Sequence, residues 1–143
     1  MPDARGLRHA RHVADARRLR EDLAVLFRAV ADDRPLPPSA LAALSHRTRA
    51  AWRDRELAGT GSAAEWRWRS TSGTAARVLH AIVLDAGELL LSPHRNRVRV
   101  CAGEGCGWLF LDASKAGRRR WCSMAACGNR AKVRDYRERV ARG

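Results

Sequence analysis

The sequence predicts an α+β fold: a mainly helical N-terminal domain that contains a β-hairpin, followed by a small C-terminal module made of a second β-hairpin and a helix. Three observations predict this fold. Apolar residues recur at helical spacing in two long segments, and a polar–apolar alternation around a glycine-rich turn lies between those segments. The four cysteines of the chain all lie from residue 101 onward, in two close pairs.

The first helix is predicted over residues 14–31, followed by a break at residues 32–38. Prolines at 35, 37 and 38 end the helix, because proline lacks the N–H that a helix interior requires. Ser39 is the predicted N-cap of a short second helix that carries Leu41 and Leu44. The apolar face of the first helix consists of Leu19, Leu23, Leu26, Phe27 and Val30.

Two strands are predicted over residues 49–57 and 64–70, joined by the turn residues 59–62 into a hairpin. Trp52, Trp66 and Trp68 alternate with arginines in these segments. Tryptophans can stack on nucleobases, but such residues more often pack a small core, and we favour the core role.

A third helix is predicted over residues 74–91 and is expected to be the most buried helix of the chain. Residues 70–73, of sequence Ser-Thr-Ser-Gly, are predicted to cap its start, and residues 92–94 to end it. We place the domain boundary there, which divides the chain into residues 1–94 and 95–143.

The cysteine pairs Cys101-x4-Cys106 and Cys122-x4-Cys127 predict a metal site. Four thiolates complete the tetrahedral coordination of Zn²⁺ and leave no position for a substrate, so the ion is expected to be structural. The alternatives are another thiolate-bound metal or cluster, disulfides, or free thiols. Disulfides require an oxidising compartment, and the polar, basic N-terminus shows no signal-peptide pattern, so we expect a cytoplasmic protein.

Around the cysteines, the pattern predicts a treble-clef-like arrangement. Residues 98–100 and 108–111 alternate as two short strands around a turn that contains Gly103 and Gly105. A helix is predicted from Met124 to Arg139, with Cys127 in its first turn and an apolar stripe of Val133, Tyr136 and Val140 that docks on the hairpin.

Positive charge is concentrated in the same region as the cysteines. The chain has 28 basic and 15 acidic residues, and residues 95–143 hold 13 of the basic residues but four of the acidic ones. Such a surface attracts polyanions, of which nucleic acid is the usual example in cells. Because 26 of the basic residues are Arg, genome composition explains part of the excess, but not its position.

The C-terminal motifs resemble the CGNR zinc finger family over about residues 97–140. The resemblance rests on Phe110-x-Asp112-x-Ser114, on Arg120-Trp121-Cys122-Ser123-Met124, and on Cys127-Gly128-Asn129-Arg130-x-Lys132. Members of that family carry a largely helical N-terminal domain called ABATE, with a predicted role in stress-induced transcription regulation. Residues 14–94 resemble the later part of that domain. Its usual Leu-Asp-x-x-Asn-Thr-like opening segment is absent, so we expect either a naturally shortened domain or a fragment of a longer one.

The resemblance implies zinc at Cys101, Cys106, Cys122 and Cys127, and duplex DNA as the partner of a transcription regulator. Arginines at three-to-four-residue steps on the last helix, with a cluster in the preceding loop, suit phosphate contacts. The candidate nucleic-acid-binding residues are Arg118, Arg119, Arg120, Arg130, Lys132, Arg134 and Arg137. Alternatively, Arg120 and Arg130 hydrogen-bond the metal-bound sulfurs instead.

Two other functions fit the same sequence: an RNA-binding or ribosome-associated protein, and a protein–protein adaptor whose zinc only supports a docking surface. Because one finger reads few bases, a regulator needs a homodimer or help from residues 1–94. An enzyme is not expected. The five histidines show no pairing with a nucleophile, and no glycine-rich phosphate loop is present.

Overall fold

The structure, a computed structural model, describes residues 4–69 and 73–143. It confirms the predicted α+β class, with N-terminal helices, two small hairpins and a C-terminal helix. The chain forms two compact units: unit 1 comprises Met1–Leu26 and Leu36–Ser92, and unit 2 comprises Phe27–Pro35 and Pro93–Gly143. The domain boundary after residue 94 stays a prediction.

Unit 1 contains most of helix α1 (Ala4–Ala31), helix α2 (Pro38–Arg53) and helix α3 (Thr74–Leu91). Helix α1 starts ten residues before the predicted position, because its early turns are polar and lack an apolar stripe that a sequence pattern could detect. The interior of unit 1 is apolar, and its buried side chains include Leu19, Leu26, Leu44, Ala51, Val83 and Leu90.

Helix α2 differs from the prediction at both ends. Its N-cap is Pro37, with Pro38 in the first turn, so the prediction of Ser39 as N-cap is wrong. Proline has the φ angle that a first helical position requires. The predicted strand over residues 49–57 is also wrong in its first half, because the helix continues to Arg53. Ala51 is buried there through helical rather than alternating spacing.

The first hairpin pairs β1 (Arg55–Thr60) with β2 (Ala63–Trp68) in antiparallel register, with Leu57 opposite Trp66. Gly61 has a φ of 63°, which the tight turn requires. The Arg55 guanidinium carbon lies 4.9–5.8 Å from the ring centroids of Trp52, Trp66 and Trp68. These tryptophans therefore face the protein's own arginine, although Trp52 and Trp66 remain partly exposed.

Helix α3 has the predicted bounds, but its predicted apolar stripe is only partly buried. Val83, Ala86 and Leu90 are buried, whereas Val78 and Ile82 from the same predicted stripe are exposed. The predicted cap at Ser70–Ser72 lies outside the described residues. Gly73 is at the N-cap position and offers no side chain to the helix.

Unit 2 includes the end of α1, a 3-10 helix (Pro93–Arg97) and the antiparallel strands β3 (Val98–Val100) and β4 (Leu109–Leu111). A π-helical turn (Met124–Gly128) leads into helix α4 (Asn129–Arg142). Strand β3 has the predicted bounds, and β4 begins one residue later than predicted. Within the described residues, no helix combines the length and apolar character that a membrane crossing requires.

Candidate metal centre and basic surface

The sulfurs of the four cysteines meet at one point in unit 2. The Sγ atoms of Cys101, Cys106, Cys122 and Cys127 all lie within 4.8 Å of one another, and all four cysteines are free. The Sγ atom of Cys122 lies 3.7 Å from that of Cys106 and 3.8 Å from that of Cys127. With Zn–S bonds of about 2.3 Å, the edge of a coordination tetrahedron is about 3.8 Å. The four cysteines are thus positioned to coordinate one metal ion, and the donor set and spacing fit a structural Zn²⁺.

The first cysteine pair is presented by a tight turn between β3 and β4. The Cys101 amide donates to the Trp108 carbonyl at 2.8 Å, and the Cys106 amide donates to the Gly103 carbonyl at 3.0 Å. A Cβ at Gly103 would lie 3.0 Å from the Cys127 Cβ and 3.1 Å from its Sγ, which is closer than side chains normally pack. Glycine at 103 therefore lets the two cysteine pairs approach each other.

The second pair is presented by the start of the C-terminal helix. The Ser123 Oγ accepts from the Ala126 amide at 3.2 Å, and its carbonyl accepts from the amides of Cys127 and Gly128 at 3.0 and 3.1 Å. The last of these bonds spans five residues, which is the spacing of a π-turn. This turn places Cys127 toward Cys122, and a side chain at Gly128 would overlap the Met124 sulfur.

Hydrogen bonds to sulfur favour negative charge at Cys101 but not at every cysteine of the site. Burial raises the pKa of the Cys101 thiol, but the amides of Cys122 and Gly103 donate to its Sγ at 3.3 and 3.4 Å and lower the pKa to about 6. Burial and the neighbouring sulfurs raise the pKa of Cys122 to about 12. The cluster alone thus resists full ionisation, and a cation among the sulfurs is what would stabilise four thiolates.

Asp112 organises the loop between the two cysteine pairs. Its side chain is 0% exposed, and it accepts from the Ser114 hydroxyl at 2.6 Å and from the amides of Ser114 and Arg119 at 2.9 Å. Hydrogen bonding from Ser114 and then Arg119, opposed by burial, holds the pKa of Asp112 below its ordinary value. This ionised carboxylate explains the Asp112-x-Ser114 motif.

Arg119 is one of the predicted nucleic-acid-binding residues, but its side chain contacts other residues of unit 2. Its Nε donates to the Trp121 carbonyl at 2.9 Å, its Nη2 donates to the Cys122 carbonyl, and its guanidinium carbon lies 5.1 Å from the Phe110 ring centroid. These contacts fix the backbone that presents Cys122, which is a structural role.

Arg130 and Arg134 also have partners within the protein. The Arg130 Nη2 donates to the Cys127 Sγ at 3.3 Å, and this bond with sulfur raises the pKa of Arg130. This contact is the sulfur-bonding alternative predicted for Arg130. The Arg134 Nη1 lies 2.6 Å from a Glu104 carboxylate oxygen. Arg120 instead lies over the ring of Trp121, 5.1 Å from its centroid.

The remaining predicted basic residues, Arg118, Lys132 and Arg137, are exposed. Within the described part of the chain, no ion pair or hydrogen bond occupies their side chains. The structure brings Arg130, Arg134 and Arg137 together around one shallow depression of about 370 Å³, with Ala125, Ala126 and Val133 among its apolar lining. Lys132 and the 118–120 cluster lie outside that depression.

The apolar stripe of α4 does not dock on the hairpin as predicted. Val133, Tyr136 and Val140 are 49%, 62% and 64% exposed, whereas Ala131 is buried. The reason is helical geometry: Cys127 and Ala131 share one face, and at about 100° per residue the stripe lies roughly 180–240° from Cys127. Coordination geometry, rather than apolar character, sets which face of α4 is buried.

The end of α1 makes a contact that no sequence pattern predicts. The Arg28 Nη2 donates to the Gly107 carbonyl at 2.9 Å, beside Cys106. Gly107 has a φ of 62°, so its backbone takes a conformation that glycine favours. The two residues are 79 positions apart, and no sequence motif connects them.

Comparison with known protein families agrees with this architecture. The family model described as "CGNR zinc finger" matches residues 97–140. The model described as "Putative stress-induced transcription regulator", named ABATE, matches residues 1–93. A search of the curated proteins finds no match. With the match spanning more than half of its length, the chain belongs to the ABATE family and carries a CGNR zinc finger at its C-terminal end.

Proposed function

We propose that this zinc-finger protein is a transcription regulator that binds duplex DNA through the basic surface of unit 2. The observation that carries the proposal is the concentration of 13 basic and four acidic residues within 95–143. The two family matches, to a zinc finger and to a family described as "Putative stress-induced transcription regulator", agree with a regulatory protein.

In this proposal Cys101, Cys106, Cys122 and Cys127 hold one Zn²⁺ in a treble-clef-like module. The metal would cross-link the two cysteine pairs, and so hold α4 against a turn too small to have an apolar core of its own. Arg119 and Arg130 support the cysteines, as their contacts with Cys122 and Cys127 indicate.

The DNA contacts divide into two groups by the freedom of the side chains. Arg118, Lys132 and Arg137 are exposed and available to phosphates, which supply most of the affinity. Arg134 can exchange Glu104 for a phosphate, since an exposed ion pair is weak. Arg120 and Arg130 also have partners within the protein, the Trp121 ring and the Cys127 sulfur, and add positive charge to the same unit. The apolar lining of the α4 depression suits contact with thymine methyl groups in a major groove.

The proposal is tested by titrating a short labelled duplex with zinc-loaded protein at several salt concentrations. If about six basic residues contact phosphates, the log–log slope is roughly −5. Changing Lys132 and Arg137 to Gln removes two phosphate contacts, so the slope becomes less negative by about two. The matched control changes Arg11 and Arg17, exposed residues of α1, to Gln and leaves the slope unchanged.

A structured RNA serves as the competitor. DNA binding fails as a proposal if the RNA displaces the duplex at far lower concentration, which would support the RNA-binding alternative. A flat salt dependence would also contradict it. Because one finger reads few bases, we further propose a homodimer on DNA, which light scattering of the complex would detect.

An adaptor is the second candidate, and the exposed Val133, Tyr136 and Val140 of α4 favour it. An exposed apolar stripe on a helix suits docking to another protein. The adaptor predicts no duplex binding at physiological salt, while zinc remains bound. The same titration therefore separates the two candidates.

A further inference from the structure

Unit 1 contains a cavity that the zinc finger does not use. Its volume is about 650 Å³, within the range of small-molecule sites, and helices α1, α2 and α3 all contribute to its lining. Polar residues come from one side of α1, among them His12, Asp15 and Asp22. Their spacing of three and seven residues keeps them on one helical face.

The cavity also has an apolar part, supplied by α2 and α3. Ala50 is half-buried, as is Leu79, and Val83 is 1% exposed. A ligand would thus contact carboxylates of α1 and apolar side chains of α2 and α3. This combination selects small organic molecules that have a polar group and an apolar body.

The charge of the cavity lining differs from that of the chain as a whole. Three carboxylates (Asp15, Glu21 and Asp22) and two guanidiniums (Arg18 and Arg47) line it. Carboxylates therefore outnumber guanidiniums in this lining by one, in a chain whose net charge is +13. A phosphate or nucleic acid is a poor occupant, because carboxylates repel it.

The carboxylates are not equally available. The Asp15 Oδ1 lies 2.8 Å from an Arg47 nitrogen, and the hydrogen bond from Arg47 lowers the pKa of Asp15. Glu21 pairs with Arg20 in an exposed contact, which a ligand can displace. Asp22 is half-buried and has no ion-pair partner within the described residues.

A metal ion is not the preferred occupant. Among the described residues, the four cysteines are the group whose ligand atoms lie close enough together to hold an ion. No three of the cavity's histidines and carboxylates therefore come close enough to share one ion in this arrangement. They line a space that fits a molecule.

We propose that this cavity binds a small organic cation, a primary or quaternary ammonium compound. Asp22 receives the ammonium group and Glu21 adds a second carboxylate. The apolar portion lies against Leu79 and Val83. This inference is independent of DNA binding, since it concerns unit 1 alone.

The test uses the full-length, zinc-loaded protein and isothermal titration calorimetry with choline, putrescine and spermidine, and with acetate as the anionic comparison. We expect saturable binding of at least one of the amines and none of acetate. Asp22→Asn raises the Kd by about ten-fold, since a charge-assisted contact is lost. The matched control is Asp85→Asn, an exposed carboxylate of α3 that does not line the cavity.

Three outcomes would overturn the proposal: no saturable binding of the three amines at millimolar concentration, equal binding of acetate, or an unchanged Kd in the variants. Circular dichroism checks that Asp22→Asn folds. If it does not, Glu21→Gln replaces it, because Glu21 is exposed and its change leaves the packing intact. That variant is expected to raise the Kd by a smaller factor.

Discussion

The two units of the protein bury different kinds of side chain. Unit 1 buries leucines and valines from three helices, including Leu26 and Val83. In unit 2, the buried set includes two of the four cysteines and the ionised Asp112, along with Val98 and small alanines. Large aliphatic side chains are therefore the main source of stability in unit 1 but a minor one in unit 2.

The difference follows from size. A module of roughly 60 residues buries little apolar area to offset its loss of conformational entropy, so such modules often depend on metals. The cysteine cluster and the Asp112 loop replace the missing core. It follows that the two units respond to different perturbations.

Removing the metal is the largest perturbation, and it affects unit 2. Structural zinc contributes on the order of 10 kcal/mol to small zinc modules. We expect chelation to abolish the hydrogen-exchange protection of α4 amides while α2 and α3 amides keep theirs. Equal protection of α4 with and without the chelator would show that the cysteines do not depend on a metal.

Leu26→Ala is the corresponding perturbation of unit 1. Leu26 is fully buried, so the loss of its side chain leaves a cavity and lowers the free energy of unfolding by about 2–5 kcal/mol. Chemical denaturation measures this change, and zinc content stays at one per chain. Val25→Ala, at an adjacent exposed position, serves as the control and has a small effect. A matching loss in both variants would contradict the assigned core.

Gly103→Ala tests the close approach of the two cysteine pairs. The added methyl group would press on Cys127, so we expect a cost of about 1–3 kcal/mol, measured as weaker zinc affinity in competition with a chelating dye. Gly87→Ala is the matched control, because a Cβ there meets open space. Unchanged zinc affinity in Gly103→Ala would show that the turn relaxes freely.

Arg119→Ala against Arg118→Ala is the subtlest comparison. Arg119 holds the carbonyls of Trp121 and Cys122, so its loss destabilises unit 2 by about 1 kcal/mol. Arg118 is exposed, and its loss weakens duplex binding while the thermal stability of the zinc-loaded protein is unchanged. The reverse pattern in melting and duplex titrations would exchange the two roles.

The sequence predicted the features that local rules determine. The cysteine spacing located the metal cluster, and apolar periodicity located α3 at its observed bounds. The C-terminal helical segment begins at Met124 with Cys127 in its first turn, as predicted, whereas its N-cap, Ser123, was not predicted.

Features set by tertiary contacts were not predictable in this way. The short alternation near Trp52 fits a helix end as well as a strand. The packing of α2, which buries Ala51, determines that the helix continues to Arg53. The exposed stripe of α4 follows from where Cys127 fixes the helix, which no apolar pattern reveals. The Arg28 bond to Gly107 joins distant positions, and Arg119 could not be separated from its exposed neighbours by sequence.

We expect unit 2 to bind nucleic acid only while it holds its metal ion. The most direct test measures zinc content and duplex affinity on the same samples, before and after chelation, across a salt series. We expect one zinc per chain and steeply salt-dependent duplex binding, which is lost when the zinc is removed. Duplex binding that survives complete loss of zinc, or a protein that contains no zinc as purified, would contradict it.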